Sequence, residues 1–195
     1  GELSDIYGRK RLLTLGVLVL AVSQLLFGFG IKIASLALLF FSRVLAGLAA
    51  ANFSIAQASI ADVSKPQDRA KNFGLVGAAF GIGLIVGPIL GAWIVSLTGN
   101  AAAPFWFASI VGILNVLFIS LFLPETRRKK SSVYRFNIFK GIQNIRSAFL
   151  DVEARPLYLS SFLYVSGFSF FISFIGIFLV SRFGFSAISI GTFFG

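Results

Sequence analysis

Long apolar runs alternate with short polar links along this chain. The runs occupy residues 12–31, 35–60, 72–97, 104–123 and 156–180, and another opens at 188. At about 1.5 Å of rise per residue, roughly 20 apolar residues cross the hydrocarbon core of a bilayer. The pattern therefore predicts an all-α polytopic transmembrane bundle with five full spans and the start of a sixth. The run 72–97 carries glycine at 74, 77, 81, 83, 87 and 91, with Pro88 beside Gly87. In lipid the backbone bonds stay internal, and small residues let a neighbouring helix approach closely. At about 100° per residue, Gly74, Gly77, Gly81 and Pro88 share one face, and Gly83, Gly87 and Gly91 another. Pro88 has no N–H for the carbonyl of Leu84, so a bend over 84–87 is expected.

Polar positions inside and between the runs refine this picture. Arg43 is the one Asp, Glu, Lys or Arg within a span. In a continuous helix it shares a narrow stripe with Gly47, Ala50, Ser54, Gln57 and Ala61, which should face protein or a cavity. A charge at that depth needs a partner, either a backbone carbonyl or a residue on another helix. Asn52 points off the stripe and is expected to hydrogen-bond another helix. In the link at 64–71, Lys65-Pro66 ends a helix, and Asp68 and Arg69 either join a charge cluster or sit solvated. Residues 127–155 hold Phe136, Phe139, Ile142, Ile145 and Phe149 at helical spacing, the signature of an amphipathic helix on the inner leaflet. Tyr164, Ser166 and Ser169 in the fifth run either line a cavity for a greasy solute or face lipid and neighbouring helices. Gln57 and Tyr164 are the cavity-lining candidates.

Composition excludes several function classes. With 57% hydrophobic and 12% charged residues and a mean hydropathy of +0.91, the 195 residues cannot form a water-soluble globule. No Cys and no His are present, which rules out disulfides, thiolate chemistry, histidine metal sites and Ser-His-Asp triads within this chain. No cofactor or metal and no enzymatic activity are expected. The net charge of +10 is not one patch: fourteen Lys and Arg lie in alternate links on one side of the spans and two on the other. The fourteen-charge side reads as cytoplasmic, and its partner as anionic lipid headgroups rather than nucleic acid. The seven acidic residues fall on the same side. A start at Gly1, no Met and a stop at Gly195 inside an apolar run read as an internal piece of a longer chain.

Three motifs carry a resemblance. Gly1, Asp5, Gly8, Arg9 and Lys10 match the Gly-x-Leu-x-Asp-x-x-Gly-Arg-(Arg/Lys) loop called motif A in the major facilitator superfamily. Arg43 and the small residues after it resemble motif B of the fourth family helix. Gly74, Gly83, Gly87-Pro88 and Gly91 resemble motif C of the fifth, with Ala92 where a second glycine usually stands. Leu-Pro-Glu-Thr at 123–126 is similar to the usual exit from the sixth helix. The resemblance implies a chain running from the loop after helix two into helix eight. Residues 1–126 would belong to the N-terminal transmembrane half, 127–155 to the cytoplasmic central loop, and 156–195 to the C-terminal half. It further implies a gating cluster of Gly1, Asp5, Gly8, Arg9, Lys10 and Asp62, a proton-coupling role for Arg43, and a bent motif C helix. The function implied is a secondary transporter in the cell membrane, a proton-coupled efflux antiporter of the tetracycline or multidrug type, monomeric at full length. Its partners would be a small-molecule solute, protons and the bilayer. An uptake symporter or uniporter of the same fold is the alternative, and a polytopic membrane enzyme or receptor the reading from another class.

Overall fold

The computed structural model describes residues 8–126, 150–152 and 155–194. Gly1, Asp5 and the amphipathic segment with Phe136, Phe139, Ile142, Ile145 and Phe149 lie outside the described residues. The elements are α1 (Arg9–Lys32), α2 (Leu36–Leu48), α3 (Asn52–Val63), a 3-10 turn (Pro66–Asp68), α4 (Arg69–Thr98), α5 (Ala103–Phe122), α6 (Arg155–Phe183) and α7 (Ala187–Phe194). The fold is all-α. Five stretches, Arg9–Lys32, Leu36–Val63, Pro66–Thr98, Ala103–Phe122 and Arg155–Phe183, are long and apolar enough to cross a membrane. The chain is thus a multi-pass membrane protein, as the apolar pattern predicts.

Two compact units are present, Gly1–Tyr134 with Gly191–Gly195, and Arg135–Ile190. In the first, α1 packs along α5 and α2 and meets α3, while α4 packs on α5 and α3. Lipid tails are as apolar as leucine, so helices here are held by close packing rather than by expulsion of water. Small residues supply that closeness. A Cβ added at Gly112 of α5 would lie 2.8 Å from the Cβ of Ala21 on α1, and Gly28 of α1 receives the indole edge of Trp106. A small apolar cluster of Leu13, Ile55 and Ile119 ties α1, α3 and α5 together at one end. Large apolar side chains such as Phe40 and Leu48 stand exposed on the outside, as a hydrocarbon-facing surface requires.

The second apolar run is not one straight helix. It is interrupted at Ala49–Ala51, where the Ala50 N–H donates to Gly47 O at 3.1 Å and the Asn52 N–H to Ala49 O at 3.1 Å, the tighter three-residue spacing. Ser54 Oγ donates at 2.8 Å to Ala51 O, which also accepts the Ile55 N–H at 3.1 Å as the next helix starts. No branched side chain at 49–51 opposes the break. The stripe drawn through Arg43, Gly47, Ala50, Ser54, Gln57 and Ala61 assumed an unbroken helix, so its second half is rotated off the line of the first.

Other elements follow the pattern with shifted ends. Arg9, Lys10 and Arg11 begin α1 instead of preceding it, and Arg69 and Lys71 begin α4. The helix before Lys65-Pro66 stops at Val63, and Asn72 Nδ2 donates to Ser64 Oγ at 2.6 Å, closing the turn into α4. The 30 residues of α4 form one helix that includes Pro88 and ends at Gly99, whose φ of 63° is the left-handed cap favoured by glycine.

In the second unit, α6 runs 29 residues with aromatic pairs one turn apart along its surface, Tyr164 with Phe168 and Phe170 with Phe174.

Candidate functional site

Gly8 opens α1 with φ 95° and ψ 143°, a backbone that only glycine adopts without strain, and offers no side-chain cap. The first turn then holds Arg9, Lys10 and Arg11 and no acid. Positive charge at a helix N-terminus is unfavourable, because the exposed N–H groups already carry partial positive charge. Tertiary contacts offset this. The Arg9 N–H donates to Glu125 Oε1 at 3.0 Å, so a carboxylate from beyond the end of α5 takes the place of the missing cap. Arg9 Nε lies 2.7 Å from Asp62 Oδ2 at the end of α3, with side chains 13% and 30% exposed. Lys10 Nζ donates to the Ser120 carbonyl on α5 at 2.8 Å.

Of the cluster expected from sequence, Gly8, Arg9, Lys10 and Asp62 are brought together, and Gly1 and Asp5 lie outside the described residues. Glu125 is the member that sequence reasoning missed. It was visible in Leu-Pro-Glu-Thr, read there only as a helix exit. Asp68 and Arg69 are exposed and make no ion pair with the cluster among the described residues.

Arg43 on α2 is not bound to a carboxylate among the described residues; its guanidinium carbon lies 3.7 Å from the centroid of the Phe27 ring on α1. Asn52 does not hydrogen-bond another helix there. Its amide presses onto the backbone at Gly16, and its Nδ2 is buried without a hydrogen-bond partner among the described residues. Asn52 lines a mostly apolar cavity of about 550 Å³ between α1, α3 and α5, with Leu13, Val17, Phe53, Asn115 and Phe118 among the other walls, which offers its amide few polar partners. Gln57 is half-buried and is not part of that wall, and Tyr164 stands exposed on α6, stacked on Phe168 at 6.2 Å.

The motif C positions present open notches. A Cβ added at Gly74, Gly83, Gly87 or Gly91 would meet nothing within 4 Å among the described residues. Beside them, a Cβ at Gly191 would lie 2.6 Å from the Cβ of Ala92 and 3.0 Å from the Pro88 carbonyl. Glycine at 191 thus accommodates the alanine at 92 that departs from the motif.

The chain is similar to known proteins over most of its length. The chain is 36% identical over 135 residues to the tetracycline resistance protein, class H, of Pasteurella multocida, covering 68% of this chain and 32% of that protein. Multidrug resistance protein 1 of Bacillus subtilis is 31% identical over 192 residues, 96% of this chain and 46% of that one. The crystal structure of the human organic anion transporter MFSD10 (TETRAN) superposes with a TM-score of 0.74 at 27% identity, covering 98% of this chain and 47% of that chain. The chain spans about a third to about a half of the length of these relatives. The profile of the Major Facilitator Superfamily matches residues 1–195 from end to end, and the chain belongs to that superfamily.

Proposed function

We propose that the chain is part of a proton-coupled antiporter that exports a drug or small metabolite. The observation that carries the reading is α4, one 30-residue apolar helix with Gly74, Gly83, Gly87, Pro88 and Gly91 at the spacing associated with export. Relatives whose names declare tetracycline and multidrug resistance support the solute class. In this reading residues 1–126 contribute to one transmembrane half, 127–155 link the halves and 156–195 begin the other.

The cytoplasmic cluster and Arg43 have separate roles. Arg9, Asp62 and Glu125 hold the cytoplasmic ends of α1, α3 and α5 together in one conformation and part in the other, so their balance biases the gate. Arg43 is a fixed positive charge inside a span, attractive both to a carboxylate on a helix outside this chain and to an anionic solute group, so that proton and solute compete for one region. The open notches of α4 let a neighbouring helix close tightly while the cavity changes its access.

Solute accumulation in cells making the full-length protein tests the reading, with tetracycline as probe and with or without an uncoupler. Export should stop when the proton gradient collapses, Arg43→Ala should uncouple it, and Gly87→Leu should block it. Inward accumulation driven by the gradient would replace the antiporter with a symporter of the same fold.

A further inference from the structure

An intramembrane arginine has two ways to reach low energy: a partner at its own depth, or a reach along its flexible stem to the nearest water. Arg43 lies eight residues from Ser35, about 12 Å along the helix. Side chains on a helix lean toward its N-terminus, which for α2 is the lightly charged end at Ser35. Phe27 sits five residues from the end of α1 at Lys32, about 7.5 Å along its helix, and the Arg43 guanidinium rests on its ring with the carbon 3.7 Å from the centroid. Phe105, in the first turn of α5, backs that ring at 4.6 Å between centroids and a 50° tilt. A second cation–aromatic contact lies closer to the same end, Lys32 Nζ 5.6 Å from the Trp106 ring, with Phe29 against Trp106 at 5.5 Å. The guanidinium thus rests on an aromatic face that lies toward that end of the span.

The physical case for a stable stop is specific to this pair of groups. A guanidinium is planar and weakly hydrated, and it stacks on the negative face of an aromatic ring more readily than an ammonium does. The stack joins α1, α2 and α5 of the first unit.

We infer that Phe27 is a positioning residue for Arg43: its ring face, backed by Phe105, holds the guanidinium inside the span and prevents it from extending to water at the lightly charged end. The inference rests on the reading of Arg43 as the coupling charge, and the test separates the two. The full-length protein is reconstituted in liposomes with tetracycline as probe, and gradient-driven transport is compared with downhill, gradient-free transport. Phe27→Leu should lower gradient-driven transport by about three- to thirtyfold, the population change matching a cation–π contact, while downhill movement persists. Phe27→Trp and Phe27→Tyr should restore it, and Phe27→Leu should add nothing to Arg43→Ala.

Each remaining outcome decides a different point. If Arg43→Ala uncouples transport and Phe27→Leu does not, the platform is overturned and the Arg43 reading stands. If Arg43→Ala leaves coupling intact, both fall. Should Phe27→Leu fail to insert, nuclear magnetic resonance of the unaltered protein still decides. The Arg43 side-chain signals, assigned by their loss in Arg43→Lys, should be displaced upfield by the ring current of Phe27. Signals at the position of a free arginine would overturn the inference whatever the transport result.

Discussion

Replacing Gly8 by alanine tests how the basic start of α1 is tolerated. Two costs are expected. A residue with a Cβ at φ 95° and ψ 143° sits in a region essentially reserved for glycine, at about 1–3 kcal/mol. The new Cβ would also lie 2.5 Å from Glu125 Oε2, so the carboxylate must move and its 3.0 Å bond from the Arg9 N–H is lost. A charge-assisted bond in a buried setting is worth more, but this one is exposed to water, so about 1 kcal/mol is the appropriate figure. The two costs are separable because only the second depends on Glu125. Gly8→Ala should therefore destabilise by about 2–4 kcal/mol and Glu125→Ala by about 1 kcal/mol. The double variant should fall short of the sum by about 1 kcal/mol, since the carboxylate can be lost only once. Reversible unfolding of the full-length protein in mixed micelles, titrated with SDS, measures all three. Strict additivity would show that Glu125 does not occupy the space beside Gly8, and an unchanged Gly8→Ala variant would refute the backbone argument as well.

Three further outcomes are expected. Asp62→Asn and Arg9→Ala should cost under about 1 kcal/mol each in the same unfolding assay, because the pair is partly solvated, yet lower transport sharply; normal transport by both would restrict these residues to topology. A cysteine at Asn100 should react with an impermeant thiol reagent from outside intact cells, and one at Lys65 only after permeabilisation, with the reverse result inverting the orientation. Gly28→Leu should displace Trp106 and destabilise by about 1–3 kcal/mol as an overpacked contact, read as a loss of tryptophan protection from a membrane-impermeant quencher; unchanged protection would remove Gly28 from the α1–α5 contact.

Hydropathy alone determined the spans, because a bilayer demands about 20 apolar residues per crossing and leaves the backbone no hydrogen-bond partner but its own helix. The all-α class and the multi-pass arrangement were legible for that reason, as was the break at Lys65-Pro66, where proline acts through the local backbone. The interruption at 49–51 was not legible. Alanine is the best helix former, and what accompanies the break is tertiary, an Asn52 amide seated on Gly16 of another helix. The meeting of Arg9 with Asp62 was readable only through the spacing of the motifs. The capping role of Glu125 at the start of α1 was not readable, since 116 residues of chain separate it from the N–H that it caps.

Arg43 shows the same division within one residue. Its depth along the helix, its isolation among uncharged neighbours and its need for a partner followed from the sequence. The partner's chemistry was left open between a carbonyl and a residue on another helix. The tertiary structure put an aromatic face there, because the crossing of α1 and α2 brings Phe27 within reach of a side chain that leans toward its own helix N-terminus. Which apolar residue of one helix faces a charge on another depends on crossing angle and axial offset. Neither quantity is encoded in the hydropathy of either helix alone, because every phenylalanine in a span satisfies the bilayer equally well.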